Sequence, residues 1–497
     1  MLGLLTALPV VRLAAVQCPS GTPPPCARVA TTAPASVAVL YFANRSADSS
    51  DDYLADAMTE EIITRLALVE RLEVKSRTAV ERFRGRSVPP DSLGRALHVA
   101  HLVSGTVQRS GRRLRVSVEL IRAPTGVTAW AARYDREDTD LLDIQAAIAD
   151  SVAQAVAGRL LPRERGALAT RATRNPEAWD RFQRGNYRLG RRTPSDVALA
   201  ISDFEAAIRM DPSFAAAHAR IALAYGVALD WGWTSFDVQR SIRAGLAASG
   251  RALEMDSMLA DAWTARGYVL RFANARTYAG VREAFERAVA LAPRDAEAHL
   301  QYGWALANMG ATTPGEARLR RAAELDPERA ISRFTMAWLF IMMHRPLEAI
   351  EQLDTGLTYD PSAPNLHGIR AWARLQRGDT AGARADIAAE LYDRRLSGAA
   401  LAALQVVSGD TAAARATGDT LVADLAPAPA RLTWGAGWQA GGLAATRQTD
   451  RLLAILDRIE PQGLTVWWMT QWPAFDPVRN DPAFSRFVAE LAPPPAR

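Results

Sequence analysis

Lysine is nearly absent from this chain: Lys75 is the only one in 497 residues, and arginine supplies almost all of the positive charge. Any mechanism that needs two lysines is therefore excluded. Hydrophobic residues make up 49% and charged residues 23%, a balance typical of folded rather than disordered proteins. The 59 cations and 54 anions are mixed along the sequence, unlike the one-sided pattern of a nucleic-acid-binding surface. The length exceeds that of a single hydrophobic core, so we expect at least two domains.

The motifs of the common catalytic sites are also missing. The chain has no glycine-rich phosphate loop ending in lysine and no His-Glu-x-x-His zinc motif. It lacks the Gly-x-Ser-x-Gly nucleophile elbow and the protein-kinase signatures as well. We therefore predict a protein that is not an enzyme, with no catalytic residues, no metal site and no cofactor. The alternative is an enzyme of unrecognised type, which would need a polar pocket with convergent acids between its modules.

Residues 1–33 form a signal-like segment and linker that is apolar up to Val16 and then rich in proline around Cys18 and Cys26. The apolar part is shorter than the roughly 20 residues that span a membrane, so we predict export and no transmembrane span. Cys18 and Cys26 are the only cysteines and lie eight residues apart, which fits a local disulfide in an oxidising compartment such as the periplasm. Two unpaired thiols in a linker, or a retained segment in a cytoplasmic protein, are the alternatives.

Residues 34–162 predict an α/β module. Short β-branched and aromatic runs bounded by turn residues indicate strands, and apolar residues at the helical period indicate helices. The predicted strands lie at 36–42, 72–76, 101–108, 114–122 and 128–135, and the predicted helices at 51–70, 91–99 and 141–161. Strands that alternate with helices and then form a meander indicate a mixed sheet.

The densest basic cluster of the chain lies on the predicted hairpin of that meander. It consists of Arg109, Arg112, Arg113 and Arg115. Nucleic-acid stacking would need aromatic residues between these arginines, and none are there. We interpret the cluster as an exposed, solvated edge of the sheet, and an anion site is the alternative.

The first module also resembles a known domain family. Five segments are similar in content and order to the TolB amino-terminal-like (FlgO-like) domain: Val37-Ala-Val-Leu-Tyr-Phe-Ala-Asn44, Tyr53-Leu-Ala-Asp56, Met58-Thr-Glu-Glu-Ile62, Val103-Ser-Gly-Thr-Val107 and Trp130-Ala-Ala-Arg-Tyr-Asp-Arg136. The resemblance implies an α/β interaction domain of cell-envelope and signalling proteins, with no catalytic residues. In that family the domain often follows a winged-helix, protein-kinase or nucleotide-cyclase module. We expect no such module in the 33 residues that precede it here.

After a linker at 163–174, residues 175–395 carry a repeat. Helix-ending tripeptides recur, and their third residues are Pro212, Ser257, Pro293, Pro327 and Pro361. The intervals between these helix-ending residues are 45, 36, 34 and 34. A period of 34 and a terminal proline that stops the second helix are typical of the tetratricopeptide repeat (TPR). We therefore predict an all-α TPR superhelical solenoid.

Two positions of the repeat are chemically consistent. Ten residues after each helix-ending residue the side chain is small, as a close helix crossing requires, at Ala222, Gly267, Gly303, Ala337 and Ala371. Six residues after it the side chain is large, and we select His218, His299, Arg333 and His367 as candidate partner-binding residues. The pattern leaves open whether these four face the groove of the solenoid or pack inside it.

Residues 396–497 predict degenerate closing repeats and an aromatic cap, since the stretch from Val466 to Trp472 contains three tryptophans. A solenoid of this kind binds an extended peptide or another protein on its concave face. We therefore predict a scaffold or adaptor of the cell envelope with a protein or peptide partner and no nucleic acid. A cytoplasmic subunit of a signalling or transcription-regulatory system is the alternative. The sequence does not set an oligomeric state.

Overall fold

A computed structural model of the chain describes residues 35–48, 51–69, 71–137, 140–169, 172–191, 193–233, 235–361, 363, 365–390, 394–423, 425, 432, 435–461 and 463–493. The signal-like segment, with Cys18 and Cys26, lies outside these residues. A mixed α/β domain is followed by a solenoid of helix pairs. This confirms the predicted fold class.

The described residues of the first module build a six-stranded mixed sheet. Its strands are β1 (Ala35–Val39), β2 (Ala43–Asn44), β3 (Leu72–Val74), β4 (His101–Ser110), β5 (Arg113–Arg122) and β6 (Val127–Glu137). The order is β3-β1-β4-β5-β6, with β1 parallel to β3 and β4, and β2 beside β4. Strands β4, β5 and β6 form the predicted antiparallel meander. Gly111 and Gly126 take φ angles of 58° and 67° at its turns, a conformation that glycine adopts most easily.

Five helices accompany this sheet. They are α1 (Asp52–Ala67), α2 (Arg77–Glu81), α3 (Pro90–Leu97), α4 (Leu141–Ala157) and α5 (Pro162–Ala169). Helices α1 and α4 bury Met58 and Ile148 in one core with Val116 of β5, while α2 and α3 cover part of the other face. The predicted helix at 141–161 is too long, because the chain leaves the helix at Gly158, where φ is positive. Helix α2 was missed, since five residues show no helical period.

The second module consists of antiparallel helix pairs followed by a tail. The pairs are α6 (Pro176–Gly190) with α7 (Pro194–Met210), α8 (Ala215–Trp231) with α9 (Val238–Met255), α10 (Ala260–Ala273) with α11 (Val281–Leu291), α12 (Ala296–Asn308) with α13 (Thr312–Leu325), α14 (Ala330–Met342) with α15 (Pro346–Tyr359), α16 (Leu366–Gln376) with α17 (Thr380–Ala389), α18 (Arg394–Val407) with α19 (Thr411–Ala423), and α20 (Ala436–Ala445) with α21 (Thr449–Leu456). The tail contains α22 (Leu464–Thr470), a 3₁₀ turn (Pro473–Val478) and α23 (Pro482–Leu491). Helices α7, α9, α11, α13 and α15 each end at the first residue of a predicted helix-ending tripeptide.

The small residues at the helix crossings are all buried. A Cβ atom on Gly267 would lie 2.9 Å from the ring of Phe285 in the paired helix. A Cβ atom on Gly303 would lie 2.8 Å from Leu319 and 2.9 Å from the carbonyl oxygen of Gly315. No surface is exposed at the equivalent residues Ala222, Ala337 and Ala371. The two helices of a pair therefore approach too closely here for a larger side chain.

We expected the aromatic tail to cap only the last helix pair. Instead, the tail also contacts helices of earlier pairs. Trp472 has no exposed surface, and its ring centroid lies 5.4 Å from that of Trp338 on α14 and 4.7 Å from that of Trp372 on α16. At the start of the tail, the Leu464 amide donates a hydrogen bond of 2.7 Å to the Ala275 carbonyl, just after α10. The tail thus ties the end of the solenoid to its earlier repeats.

The two modules touch at two places among the described residues. At the first repeat, the Tyr53 hydroxyl donates to Asp180 of α6 over 2.5 Å. At the turn between α13 and α14, Ser76 donates to Asp326 over 2.8 Å, and Arg82 pairs with Glu328 at 3.0 Å. The α/β domain therefore bridges helices that are far apart in the sequence of the solenoid.

Candidate functional site

A cavity of about 390 Å³ lies between the first helices of the pairs from α8 to α20. Its apolar lining includes Leu300, Trp304, Ile331, Phe334 and Trp438. Cavities of roughly 300–1,000 Å³ with mainly apolar walls and a few polar groups are the usual binding sites of proteins. This cavity is therefore the candidate functional site.

The lining residues follow the repeat register. Seven of the seventeen stand four (Glu297, Ile331, Asn365), seven (Leu300, Phe334) or eleven (Tyr268, Trp304) residues after a helix-ending residue. Equivalent residues of successive repeats lie side by side on stacked helices, so each position contributes a column to the wall. The sequence pattern singled out only the positions six and ten residues after a helix-ending residue, and the cavity lies at other positions. The 34-residue period groups these positions into columns, but their side chains share no chemical type that would single them out.

Both carboxylates that line the cavity, Asp230 and Glu297, are paired with arginines. Arg329 pairs with Glu297, and Arg271, whose side chain is 1% exposed, pairs with Asp230. Gln301 joins the two pairs, since it accepts a hydrogen bond from Arg271 (3.2 Å) and donates one to Glu297 (2.9 Å). Burial lowers the pKa of Arg329, but Glu297, together with Asp326 and Asp295, outweighs burial and the pKa is raised. A bound charge would have to compete with these pairs, so the cavity favours an uncharged group.

A second layer of aromatic rings supports the aromatic wall. Trp338 stacks on Phe334 with an interplanar angle of 8°, and its ring centroid lies 5.8 Å from that of Trp438. Trp472 of the tail packs against the same Trp338 ring. At the cavity, Ile331 keeps 43% of its surface exposed. The wall is therefore held in place before any ligand binds, which reduces the entropy lost on binding.

Two of the four candidate partner-binding residues contact the turn that precedes their own helix. His299 Nε2 lies 3.1 Å from the carbonyl oxygen of Pro293, and Arg333 donates to the Pro327 carbonyl at 3.0 Å. Trp263, at the same repeat position, donates to the carbonyl of Ser257 at 2.9 Å. This position thus ties a first helix to the preceding turn.

The other two candidates occupy the same repeat position but make different contacts. His367 Nδ1 lies 3.1 Å from the buried Asp386 carboxylate, which also pairs with Arg370. His218 is half-buried, and burial together with the nearby Arg251 lowers its pKa. None of the four lines the cavity, and the structure does not bring them together. Their role in partner binding stays a prediction.

The predicted basic cluster is divided between two structural roles. Arg109 lies at the contact between the modules, 3.6 Å from Asp180. Arg113 and Arg115 hold Asp135 of β6 at 2.9 and 2.8 Å. The interpretation of this hairpin as an edge was wrong, because β5 is an inner strand and β6 forms the edge.

In the described part of the chain, no three His, Cys, Asp or Glu side chains are placed so that they could hold a metal ion. Of the helices in these ranges, none is both long and apolar enough to cross a bilayer. At the module contact, Asp180 is paired with Arg109 and Arg184.

No family model matches this chain. Over 188 residues, 38% of its length, the chain is 31% identical to a protein described as putative adenylate cyclase 3 of Rhizobium meliloti (strain 1021). The match spans 32% of that relative's length. The resemblance of the first module to the TolB amino-terminal-like domain therefore stays a prediction.

Several solved structures of helical repeats are similar to the chain at low identity. A thermophilic TPR protein of Thermus thermophilus, TTC0263, is 21% identical with a TM-score of 0.34, over 40% of this chain and 99% of that one. Pseudomonas aeruginosa PilF is 21% identical with a TM-score of 0.35, over 44% and 94%. An IFIT1 monomeric mutant with Gppp-AAAA is 10% identical with a TM-score of 0.47, over 71% and 87%. The solenoid is a TPR-type array on the strength of its own helix pairs and register.

Proposed function

We propose that this chain is a non-enzymatic interaction scaffold that binds a protein or peptide partner at the cavity between the first helices. The observation that carries the proposal is an aromatic cavity whose two carboxylates, Asp230 and Glu297, are already paired with arginines. An apolar side chain that enters it is removed from water, at about 25 cal/mol per Å² of buried surface, without breaking an ion pair. The partner therefore presents an aromatic or large aliphatic side chain.

The shape of the site modifies the predicted binding mode. We expected an extended peptide along an open concave face. Instead, residues of α8, α12, α14, α18 and α20 all line one cavity, so the solenoid closes around it. A single side chain on a partner's loop or chain end fits this space better than a long strand does.

The test uses a substitution at the cavity and a matched one elsewhere. A peptide-display screen against the full chain supplies a ligand, and its affinity is measured by calorimetry. Ile331→Glu places a charge beside the apolar wall, and because Ile331 is 43% exposed the helix tolerates it. We expect binding to weaken roughly tenfold or more, since the charge or the ligand must be desolvated.

Leu347→Glu is the control for this experiment. Leu347 is 60% exposed on α15 and does not line the cavity. This variant should bind like the parent chain. Equal weakening in both variants, or no weakening in either, would show that the ligand binds elsewhere.

We further propose that the protein acts in the cell envelope, with residues 1–33 as an export segment and Cys18 and Cys26 as a disulfide. The composition of that segment supports this location. Expression in a diderm bacterium followed by intact-mass measurement of the periplasmic fraction tests it. A shortened, oxidised chain is expected there. Full-length reduced protein in the cytoplasm alone would favour the cytoplasmic regulator.

A second candidate function is a regulatory module in nucleotide-cyclase signalling. The partial match to a putative adenylate cyclase favours it. In this role the chain controls another protein through its cavity and carries no cyclase chemistry of its own. Incubation of the purified chain with ATP and Mg²⁺ or Mn²⁺ should yield no cyclic AMP. Formation of cyclic AMP would contradict the non-enzymatic assignment.

A further inference from the structure

The outer edge of β6 has no partner strand among the described residues. This strand is eleven residues long and contains neither proline nor glycine, whereas β3 at the opposite edge has three residues. The register with β5 shifts once, between Leu120 and Ile121, so β6 is regular from Trp130 to Glu137. Alternate backbone N–H and C=O groups of an edge strand point outward and can pair with another strand.

This edge carries an excess of positive charge. Five arginines and two carboxylates lie on β6 and on the neighbouring end of β5, namely Arg112, Arg113, Arg115, Arg133, Arg136, Asp135 and Glu137. Asp135 accepts four hydrogen bonds, from Nε and Nη2 of both Arg113 and Arg115, at 2.8 to 3.2 Å. These four hydrogen bonds occupy all of the roughly four acceptor sites on the two carboxylate oxygens of Asp135. Asp135 can therefore do little to neutralise another arginine.

Two arginines of β6 form no ion pair with any described residue. Arg133 lies opposite Ser117 on the open face of the sheet, and Arg136 lies opposite Leu114 on the other face. Both side chains are exposed. A strand that pairs with β6 would meet one unpaired guanidinium on each of its faces.

We propose that β6 accepts an acidic, extended segment of a partner protein as an additional strand. Backbone hydrogen bonds along residues 130–137 hold the segment, and its carboxylates pair with Arg133 and Arg136. A second copy of this chain fits less well, because it would place the same five arginines against each other. The surface belongs to the α/β domain, so the inference does not depend on the cavity of the solenoid.

The probe is a fluorescein-labelled threonine peptide of nine residues with two glutamates three positions apart, so that one carboxylate lies on each face of the added strand, as Arg133 and Arg136 do on β6. Fluorescence anisotropy with the full chain should show binding that weakens as salt is added, while the peptide with glutamine in place of glutamate binds at least about tenfold more weakly. Methylation of the backbone nitrogens at every second residue should abolish binding when those N–H groups face β6. The same methylation at the intervening residues, whose N–H groups face away from β6, should leave binding unchanged. Only one of these two sets faces β6 in an added strand.

The decisive variant is Arg133→Glu, with Arg133→Gln as a milder version. Each should weaken binding of the acidic peptide, by roughly tenfold or more for glutamate. Arg243→Glu on α9 makes the same charge change at an exposed residue far along the chain, and should leave affinity unchanged. Thermal unfolding of each variant shows whether it is folded.

Three outcomes would overturn the proposal. Equal binding of both N-methylated peptides would mean that charge alone attracts the probe and no strand is added. Tighter binding of an eight-nucleotide oligothymidylate than of the acidic peptide would identify a nucleic-acid surface. A dimer that Arg133→Glu dissociates in sedimentation equilibrium would identify a second copy of the chain as the occupant.

Discussion

The middle repeats and the end of the solenoid are stabilised in different ways. From α10 to α15 the same contacts recur: a small residue at each helix crossing, and a side chain that contacts the preceding turn carbonyl. At α16 the crossing residue, Ala371, is still small and buried, but His367 contacts Asp386 instead of the preceding turn. Asp386 binds both Arg370 and His367, and Trp472 fills the space between two first helices.

This difference shows how a repeat array ends. In the middle, each pair contacts mainly its neighbours, so stability is spread over many similar interfaces. Near the end, the tail adds apolar contacts that the regular pairs do not make, since Trp472 packs against the first helices of two different pairs. We therefore expect a few residues of the tail to matter more for stability than any single residue of the middle repeats.

The largest expected effect comes from Trp472→Ala. The side chain is fully buried among three aromatic residues, so its removal should lower the free energy of unfolding by about 3 to 5 kcal/mol. Trp472→Phe should cost less than half as much, because the Trp472 Nε1 makes no hydrogen bond with the described residues. Urea unfolding followed by circular dichroism measures both. If Trp472→Ala lowers the free energy of unfolding by less than about 1 kcal/mol, close to the effect of Trp231→Ala at an exposed site, the tail is not more important for stability than the middle repeats.

Gly303→Ala should have a smaller effect, and it tests the middle repeats. The added Cβ would lie 2.9 Å from the Gly315 carbonyl, which is backbone and moves only with its helix. We expect a loss of about 1 to 3 kcal/mol in the free energy of unfolding. Gly250→Ala in α9 is the matched control, because its Cβ would meet nothing closer than Arg266 at 3.9 Å. The control should be neutral or stabilising by up to about 1 kcal/mol, and equal losses would argue against tight crossings.

The smallest expected effect has the opposite sign and depends on pH. Burial, with Asp261 and Glu297 nearby, raises the pKa of Asp295 to about 6. The folded chain therefore holds this proton more tightly than the unfolded chain, and the free energy of unfolding falls as pH rises from about 4 to about 6. Asn at this position still caps α12. Asp295→Asn should stabilise the chain by about 1 to 2 kcal/mol at pH 8 and have little effect at pH 4. A gain that is the same at both pH values would contradict the raised pKa.

Much of the fold could be predicted because its signals are local and repeated. Helix ends such as Met255 and Leu325, the crossing positions Gly267 and Gly303, and the meander turns at Gly111 and Gly126 are each marked by a residue type at a fixed spacing. The candidate site was not predicted. Its residues occupy repeat positions whose side chains vary from Glu297 to Ile331 to Asn365, so no chemical pattern marks them.

The sequence by itself determined the two modules, the helix pairs and the close crossings, because these depend on neighbours within about one repeat length. Only the tertiary structure decided that first helices from α8 to α20 line one cavity and that Trp472 packs against α14 and α16. These features depend on small rotations that accumulate over many repeats and on contacts between residues a hundred or more positions apart. No residue spacing in the sequence predicts these accumulated rotations or these long-range contacts.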